Sequence, residues 1–205
     1  MTFKSWFYDH FVAERYDREL AQLTEEFRQI CIDRIEIKEG DVVLDLGCGT
    51  GLNQPIISEK IGTNGKIIGI DASQRMLAQA KTRATEHGYT AKLQLIQGDL
   101  RNLEQLIDSP VDAIVATLIF SVVPDWRNVF KVSFDLLKRG GGYGLVDNYW
   151  PKPGLRLWFM SWMFAADAKR PGFEPLQELS EEFVLEYHPP EAEIQFYIAH
   201  GKKAL

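Results

Sequence analysis

Apolar residues fall along this chain in two alternating rhythms. Short, nearly continuous apolar runs alternate with longer stretches in which apolar residues return every three or four positions. The runs are VVLDL (42–46), IIGID (67–71), KLQLIQGD (92–99), VDAIVATLIF (111–120), YGLVDNYW (143–150), EFVLEYH (182–188) and EIQFYIAHGKK (193–203). Each reads as a buried strand. Helical spacing occupies residues 17–36, where Leu20, Leu23, Phe27, Ile30, Cys31 and Ile35 share a face, and recurs over 53–61, 72–88, 125–142 and 154–167. Ser73 is placed to cap the helix over 72–88, and Gly88 to stop it. Lys-Glu-Gly-Asp at 38–41 and Gly-Thr-Asn-Gly-Lys at 62–66 read as turns.

Strands alternating with helices predict right-handed crossovers and a mostly parallel sheet with helices on both faces. The last two strands are joined only by Pro-Pro-Glu-Ala (189–192), far too short for a crossover, so they must run antiparallel to each other. No internal repeat or low-complexity segment interrupts the pattern.

In such a sheet, ligands bind at the carboxyl ends of the strands, where strand order reverses. Three acids fall there. Asp45 precedes a turn with glycines at 47, 49 and 51; Asp71 ends the second strand; Asp99 ends the third. The glycines permit a tight turn and close approach of a ligand to the backbone. A carboxylate at Asp71 suits a ribose diol. The loop Gly-Cys-Gly-Thr-Gly is one residue shorter than a dinucleotide fingerprint, and no Lys or Arg lies between Asp45 and Glu59. Three acids would repel a pyrophosphate. They suit a cationic nucleoside without phosphate, which favours S-adenosylmethionine over NAD.

Composition narrows the partners. The 205 residues are 45% apolar and 25% charged, ordinary for a globular domain, so a single domain is expected. A net charge of -6 disfavours a general nucleic-acid binder. Two cysteines, Cys31 and Cys48, and the scattered His10, His87, His188 and His200 suggest no disulfide framework and no metal site. The N-terminus lacks the features of a signal peptide, and no apolar run reaches the ~20 residues of a membrane span. The expected location is the cytoplasm, with any membrane contact peripheral to the inner face.

The motifs VVLDLGCGTG, IIGIDASQRMLAQA, LIQGD and LLKRGGGYGLVD, in this order over residues 42–147, resemble those of class I S-adenosylmethionine-dependent methyltransferases. The resemblance implies a Rossmann-like α/β fold, a seven-stranded mostly parallel sheet with strand 7 antiparallel. It implies that Asp45 and the backbone at Gly47, Gly49 and Gly51 hold the methionine part and that Asp71 binds the ribose. Ala72 and Met76 would line the adenine, with Asp99 accepting from its amino group and Leu100 beside it. Thr117 would face the methionine moiety. A patchier likeness, in GTGLNQP, SVVPDWRNV, AADAKRP and FYIAHGKK, is to bacterial phospholipid N-methyltransferases of the phosphatidylethanolamine and betaine-lipid types. Asn53 and Pro55 lie where it begins.

Residues 1–36 would then form a helical lid, 37–150 the cofactor-binding core, and 151–205 an aromatic helix with a C-terminal hairpin. Tyr16, in an Arg-Tyr-Asp step, is the lid residue expected to reach the cofactor, with Tyr8 a second. Either tyrosine equally suits a helix packing its aromatic face on the domain. Tyr8, Tyr16, Tyr149 and Trp150 could hold a methylated cation on their ring faces. His10 and Asp147 are candidate bases. Residues 150–164 carry three tryptophans, two phenylalanines and two methionines, which fit a buried helix, a lipid-docking face or an acyl pocket. Arg170 is a candidate phosphate contact. The expected substrate is a lipid or small-molecule amine. The alternatives are a soluble metabolite or quinone precursor as acceptor, and a cofactor-binding module without catalysis.

Overall fold

A computed structural model describes residues 13–150, 167–188 and 196–205, with side chains from residue 24 onward. The elements run α1 (Ala13–Arg34), β1 (Val42–Leu46), α2 (Gln54–Lys60), β2 (Lys66–Asp71), α3 (Gln74–Glu86), β3 (Leu93–Gln97) and the short α4 (Leu103–Leu106). They continue with β4 (Val111–Thr117), α5 (Trp126–Leu136), β5 (Leu137–Asn148), α6 (Glu174–Leu179), β6 (Glu181–His188) and β7 (Phe196–Lys202).

The seven strands form one sheet in the order β3-β2-β1-β4-β5-β7-β6. Pairing is parallel from β3 to β5, and β7 runs antiparallel to both β5 and β6. This is the Rossmann-like, mostly parallel seven-stranded sheet that the sequence predicts, with the antiparallel final pair required by its short link. Strand order reverses between β1 and β4, so the crevice for a ligand opens at their carboxyl ends.

The period of two along each strand sorts the side chains into two cores. Val43, Ile67, Ala113 and Val115 pack with Ile32 and Ile35 of α1, Ile57 of α2 and Ala84 of α3. Leu44, Leu46, Ile70 and Ile114 pack on the other face with Val129, Phe130 and Phe134 of α5. There Phe130 meets Tyr143 of β5 at 4.9 Å between ring centroids. Each large side chain fully buried this way contributes roughly 1.5–3 kcal/mol before its ordering cost. Gly144 lets α1 lie close on β5, since a Cβ there would sit 2.7 Å from Cys31 Sγ. Cys31 and Cys48 are buried free thiols.

Local signals hold at the helix ends. Ser73 Oγ accepts from Met76 N at 3.3 Å, Pro55 stands in the first turn of α2, and Gly88 takes φ +74° after α3. Two expectations change. The helical pattern over 125–142 ends at Leu136, and residues 137–142 belong to β5. Leu137 pairs with Val111, and a register shift precedes the pairing of Gly142 with Ala113. Partner strands, not periodicity, set that boundary. The six-residue α6 is too short to show a helical period in the sequence. Residues 1–12, with Tyr8 and His10, most of the aromatic segment (151–166) and the link 189–195 lie outside the described residues. Among the described residues, no helix is long and apolar enough to cross a membrane.

Candidate active site

The carboxyl ends of β1, β2 and β4 converge on the loop between β1 and α2. Gly47, Gly49 and Gly51 all take positive φ, at +62°, +53° and +80°. That backbone favours glycine, and at Gly47 and Gly51 the crowded surroundings add a second reason. A Cβ on Gly47 would lie 2.5 Å from Ile119 Cδ1, so Ile119 leans directly on the turn. A Cβ on Gly49 would meet nothing within 4 Å, so the turn faces open space there.

Asp71, half-buried at the end of β2, is oriented by backbone donors. Gly49 N donates to its Oδ2 at 3.0 Å, and Ser73 N to its Oδ1 at 2.8 Å. The acid expected to bind a ribose is thus fixed beside the open turn by the loop and by the start of α3. Ala72 is exposed next to it, and its carbonyl accepts from Gln97 Nε2 at 3.3 Å. Met76 and Leu100 are buried.

Asp45 is different. It is fully buried, and Asn53 Nδ2 donates to its Oδ1 at 2.8 Å while Gln54 Nε2 lies 3.5 Å from its Oδ2. Burial pushes its carboxyl up to about 6, against the lowering effect of those two amides. Asn53 Oδ1 in turn accepts from Thr117 Oγ1 at 3.3 Å. The structure therefore brings Asp45, Asn53 and Thr117 together as a relay joining β1 to β4. It sets Asp45 beneath the turn rather than in its mouth, with Asn53 between the acid and Thr117.

Asp99 lies at the end of β3 on the same rim, half-buried. Arg101 holds it by N–H donors on both Nε and Nη2, the latter at 2.5 Å from Oδ2. The Arg101 bonds keep its carboxyl below the usual range. The third acid of the rim is thus already neutralised by a neighbour two residues away.

Tyr149 follows β5. Its ring meets Phe173 edge-on at 5.6 Å, within a cluster that includes Tyr187 and Tyr197. Tyr149 is thereby committed to the α6–β6–β7 side. Tyr16 belongs to α1, its side chain outside the described ones, and Trp150 is buried. Asp147 is buried, accepts from Ser121 N at 3.0 Å and Asn148 N at 2.8 Å, and is pushed by burial up to about 6.

Arg170 does not present its guanidinium for a phosphate. Its Nη1 donates to the carbonyls of Val123 at 2.8 Å and Phe120 at 3.3 Å, while Nε pairs with Asp167 at 3.3 Å. Those carbonyls belong to the β4–α5 loop, a long-range partner that no sequence spacing announces. Arg28 is buried on α1. It donates to Thr24 Oγ1, and its charge acts to lower the Asp45 carboxyl. Among the described residues, no group of three His, Cys, Asp or Glu side chains is spaced to hold a metal ion.

Residues 43–141 match the family model described as a methyltransferase domain. The chain is 31% identical over 144 residues to a demethylmenaquinone methyltransferase of Lactobacillus johnsonii, covering 68% of this chain and 59% of that protein. It is also 31% identical over 134 residues to a phosphatidylethanolamine N-methyltransferase of Cereibacter sphaeroides, covering 65% and 63%. The chain spans about three fifths of the length of the curated relatives it matches. Among solved structures it resembles geranyl diphosphate C-methyltransferase from Streptomyces coelicolor, described in complex with S-adenosyl-L-homocysteine. The TM-score is 0.76 at 14% identity, over 94% of this chain and 84% of that one. The chain thus shares the class I methyltransferase fold with these structures.

Proposed function

We propose that this protein is an S-adenosylmethionine-dependent methyltransferase whose acceptor is an amine of a phospholipid headgroup. The observation that carries the cofactor reading is Asp71, a half-buried carboxylate fixed beside a glycine turn that opens to space at Gly49. A carboxylate at that strand end suits the two hydroxyls of a ribose. The turn offers close backbone approach, and the Asp71 carboxylate beside it opposes a pyrophosphate. Asn53 and Thr117 lie on the methionine side, and Met76, Leu100 and Asp99 on the adenine side. When bound, the cofactor supplies a methyl activated on a sulfonium, ready for displacement by an acceptor lone pair. The protein's contribution is alignment and exclusion of water.

An amine acceptor must reach the site without its proton, and a poorly hydrated crevice favours the neutral form. Asp147, the described acid at the end of β5, has both oxygens engaged by backbone donors, which suits it to holding a loop rather than taking that proton. The lipid amine is supported by the phosphatidylethanolamine relative and by the aromatic content of residues 150–164. A quinone precursor is the second reading, because the demethylmenaquinone relative matches at the same identity over a longer stretch.

Calorimetric titration with S-adenosylhomocysteine tests the cofactor, with binding expected and its absence fatal to the proposal. Incubation with methyl-labelled cofactor and a bacterial lipid extract tests the acceptor. Label in the phospholipid fraction supports the headgroup amine. Label in the quinone fraction, or only in water-soluble product, replaces it.

A further inference from the structure

The loop between β4 and α5, residues 118–125, is held far more firmly than a connection requires. It begins in strain, with Leu118 at φ +55°. Such a conformation persists in a non-glycine residue only where the surroundings over-determine it. They do so from three sides. From β5, Val146 O accepts from Leu118 N at 2.7 Å, and Asp147 Oδ2 accepts from Ser121 N at 3.0 Å. From the segment after residue 166, Asp167 N donates to Ser121 O at 2.6 Å, and Arg170 Nη1 clamps the carbonyls of Phe120 and Val123. Within the loop, Val122 N and Val123 N both donate to Ile119 O, at 3.1 and 2.8 Å. What all this fixes is Ile119. Its side chain, half-buried, stands against Gly47 at the point where strand order reverses.

We infer that Arg170 is a positioning residue for the cofactor site, acting through Ile119. Its guanidinium bonds the carbonyl of Phe120, within the Ile119–Val122 turn, and that of Val123, just after it, and so sets how far the Ile119 side chain presses on the glycine turn. Arg170 serves here because its planar fork places several fixed donors on one side chain, which a lysine cannot reproduce. Asp167 orients the fork through Nε, and Gly172 brings the segment close, since a Cβ there would lie 3.1 Å from Phe120 Cβ. The inference rests on the cofactor reading proposed above.

The test compares Arg170→Gln, Arg170→Lys and Ile119→Ala in the full chain, at a temperature where calorimetry shows each folded. S-adenosylhomocysteine is the titrant. Arg170→Gln is expected to weaken its binding about tenfold, the low end of what losing charge-assisted hydrogen bonds costs. Arg170→Lys should restore part of the loss, and Ile119→Ala should reproduce most of it with the clamp intact. A purely structural role would lower the melting temperature and leave the affinity of the folded protein unchanged. Affinity within twofold of wild type in folded Arg170→Gln overturns the inference, as does full affinity in Ile119→Ala should Arg170→Gln not fold. Amide exchange at Ser121 and Val123 reads the clamp without any ligand. Faster exchange in Arg170→Gln is expected, and unchanged exchange overturns the inference. Wild-type protein that does not bind the titrant removes the cofactor reading instead.

Discussion

Asp45 at the end of β1 and Asp147 at the end of β5 are both buried, and burial raises both carboxyls to about 6. Their partners differ. Asp45 is met by the side-chain amides of Asn53 and Gln54, so its environment is a matter of residue choice. Asp147 is met by the backbone N–H groups of Ser121 and Asn148, so its environment is a matter of chain path. The first acid holds the start of α2 and, through Asn53, touches Thr117. The second holds the loop that carries Ile119. Asp71 shares the backbone-donor pattern of Asp147 but is only half-buried, and that exposure is what makes it a ligand-binding candidate. A strand-end acid is therefore not a site by position. Its exposure and the identity of its donors decide.

The largest effect is expected where backbone donors would be orphaned. Asp147→Ala at pH 5 should destabilise the fold by about 2–4 kcal/mol in urea unfolding, since one buried and one part-buried N–H group lose their acceptor. A cost below about 1 kcal/mol would show that water replaces the carboxylate, and the contrast with Asp45 would collapse. Titration sharpens the likeness between the two acids. From the ordinary carboxylate value of 3.8 up to about 6, the native state binds more protons than the unfolded chain. The stability these groups contribute is therefore fully present below 3.8 and is lost as pH rises through 6. The advantage of wild type over Asp45→Asn should shrink by at most about 3 kcal/mol between pH 4 and pH 7. A flat difference would mean that Asp45 titrates normally.

Asp71→Ala moves affinity instead. It should weaken S-adenosylhomocysteine binding by about 1.5–3 kcal/mol in calorimetry while the fold survives. Unchanged affinity would remove Asp71 from the site and leave the rim without its ribose acceptor. Ser73→Ala, which removes the side-chain cap of α3, should cost about 1 kcal/mol of stability. A loss of affinity larger than that would show that α3 positions Asp71 more than its cap suggests.

Much of this was legible because it is local. Asp71 sits one residue before a strand-to-helix turn, and its partners Ser73 and Gly49 belong to motifs read directly from the chain. Ser73 and Gly88 mark α3 through their own conformational preferences. The roles of Arg170 and Arg28 were not legible, since an arginine's partners fifty residues away, or on another layer, leave no trace in spacing. Arg170 resembled a solvated cation or a phosphate contact until its carbonyl partners were placed. Arg101 was within reach of the sequence, two residues from Asp99, but only its geometry shows that it neutralises that acid.

By itself, the sequence determined the alternation of strands and helices, the parallel sheet with its antiparallel end, the glycine turn and the acids at three strand ends. These follow from side-chain period, turn chemistry and the minimum length of a crossover, all properties of short stretches of chain. Tertiary structure alone decided which acid stays half-exposed, that Asp45 lies beneath the turn, where α5 yields to β5 at Leu137, and that Ile119 rests on Gly47. Burial and hydrogen-bond partners are set by whatever else arrives at the same place, and in a parallel sheet those neighbours come from distant parts of the chain.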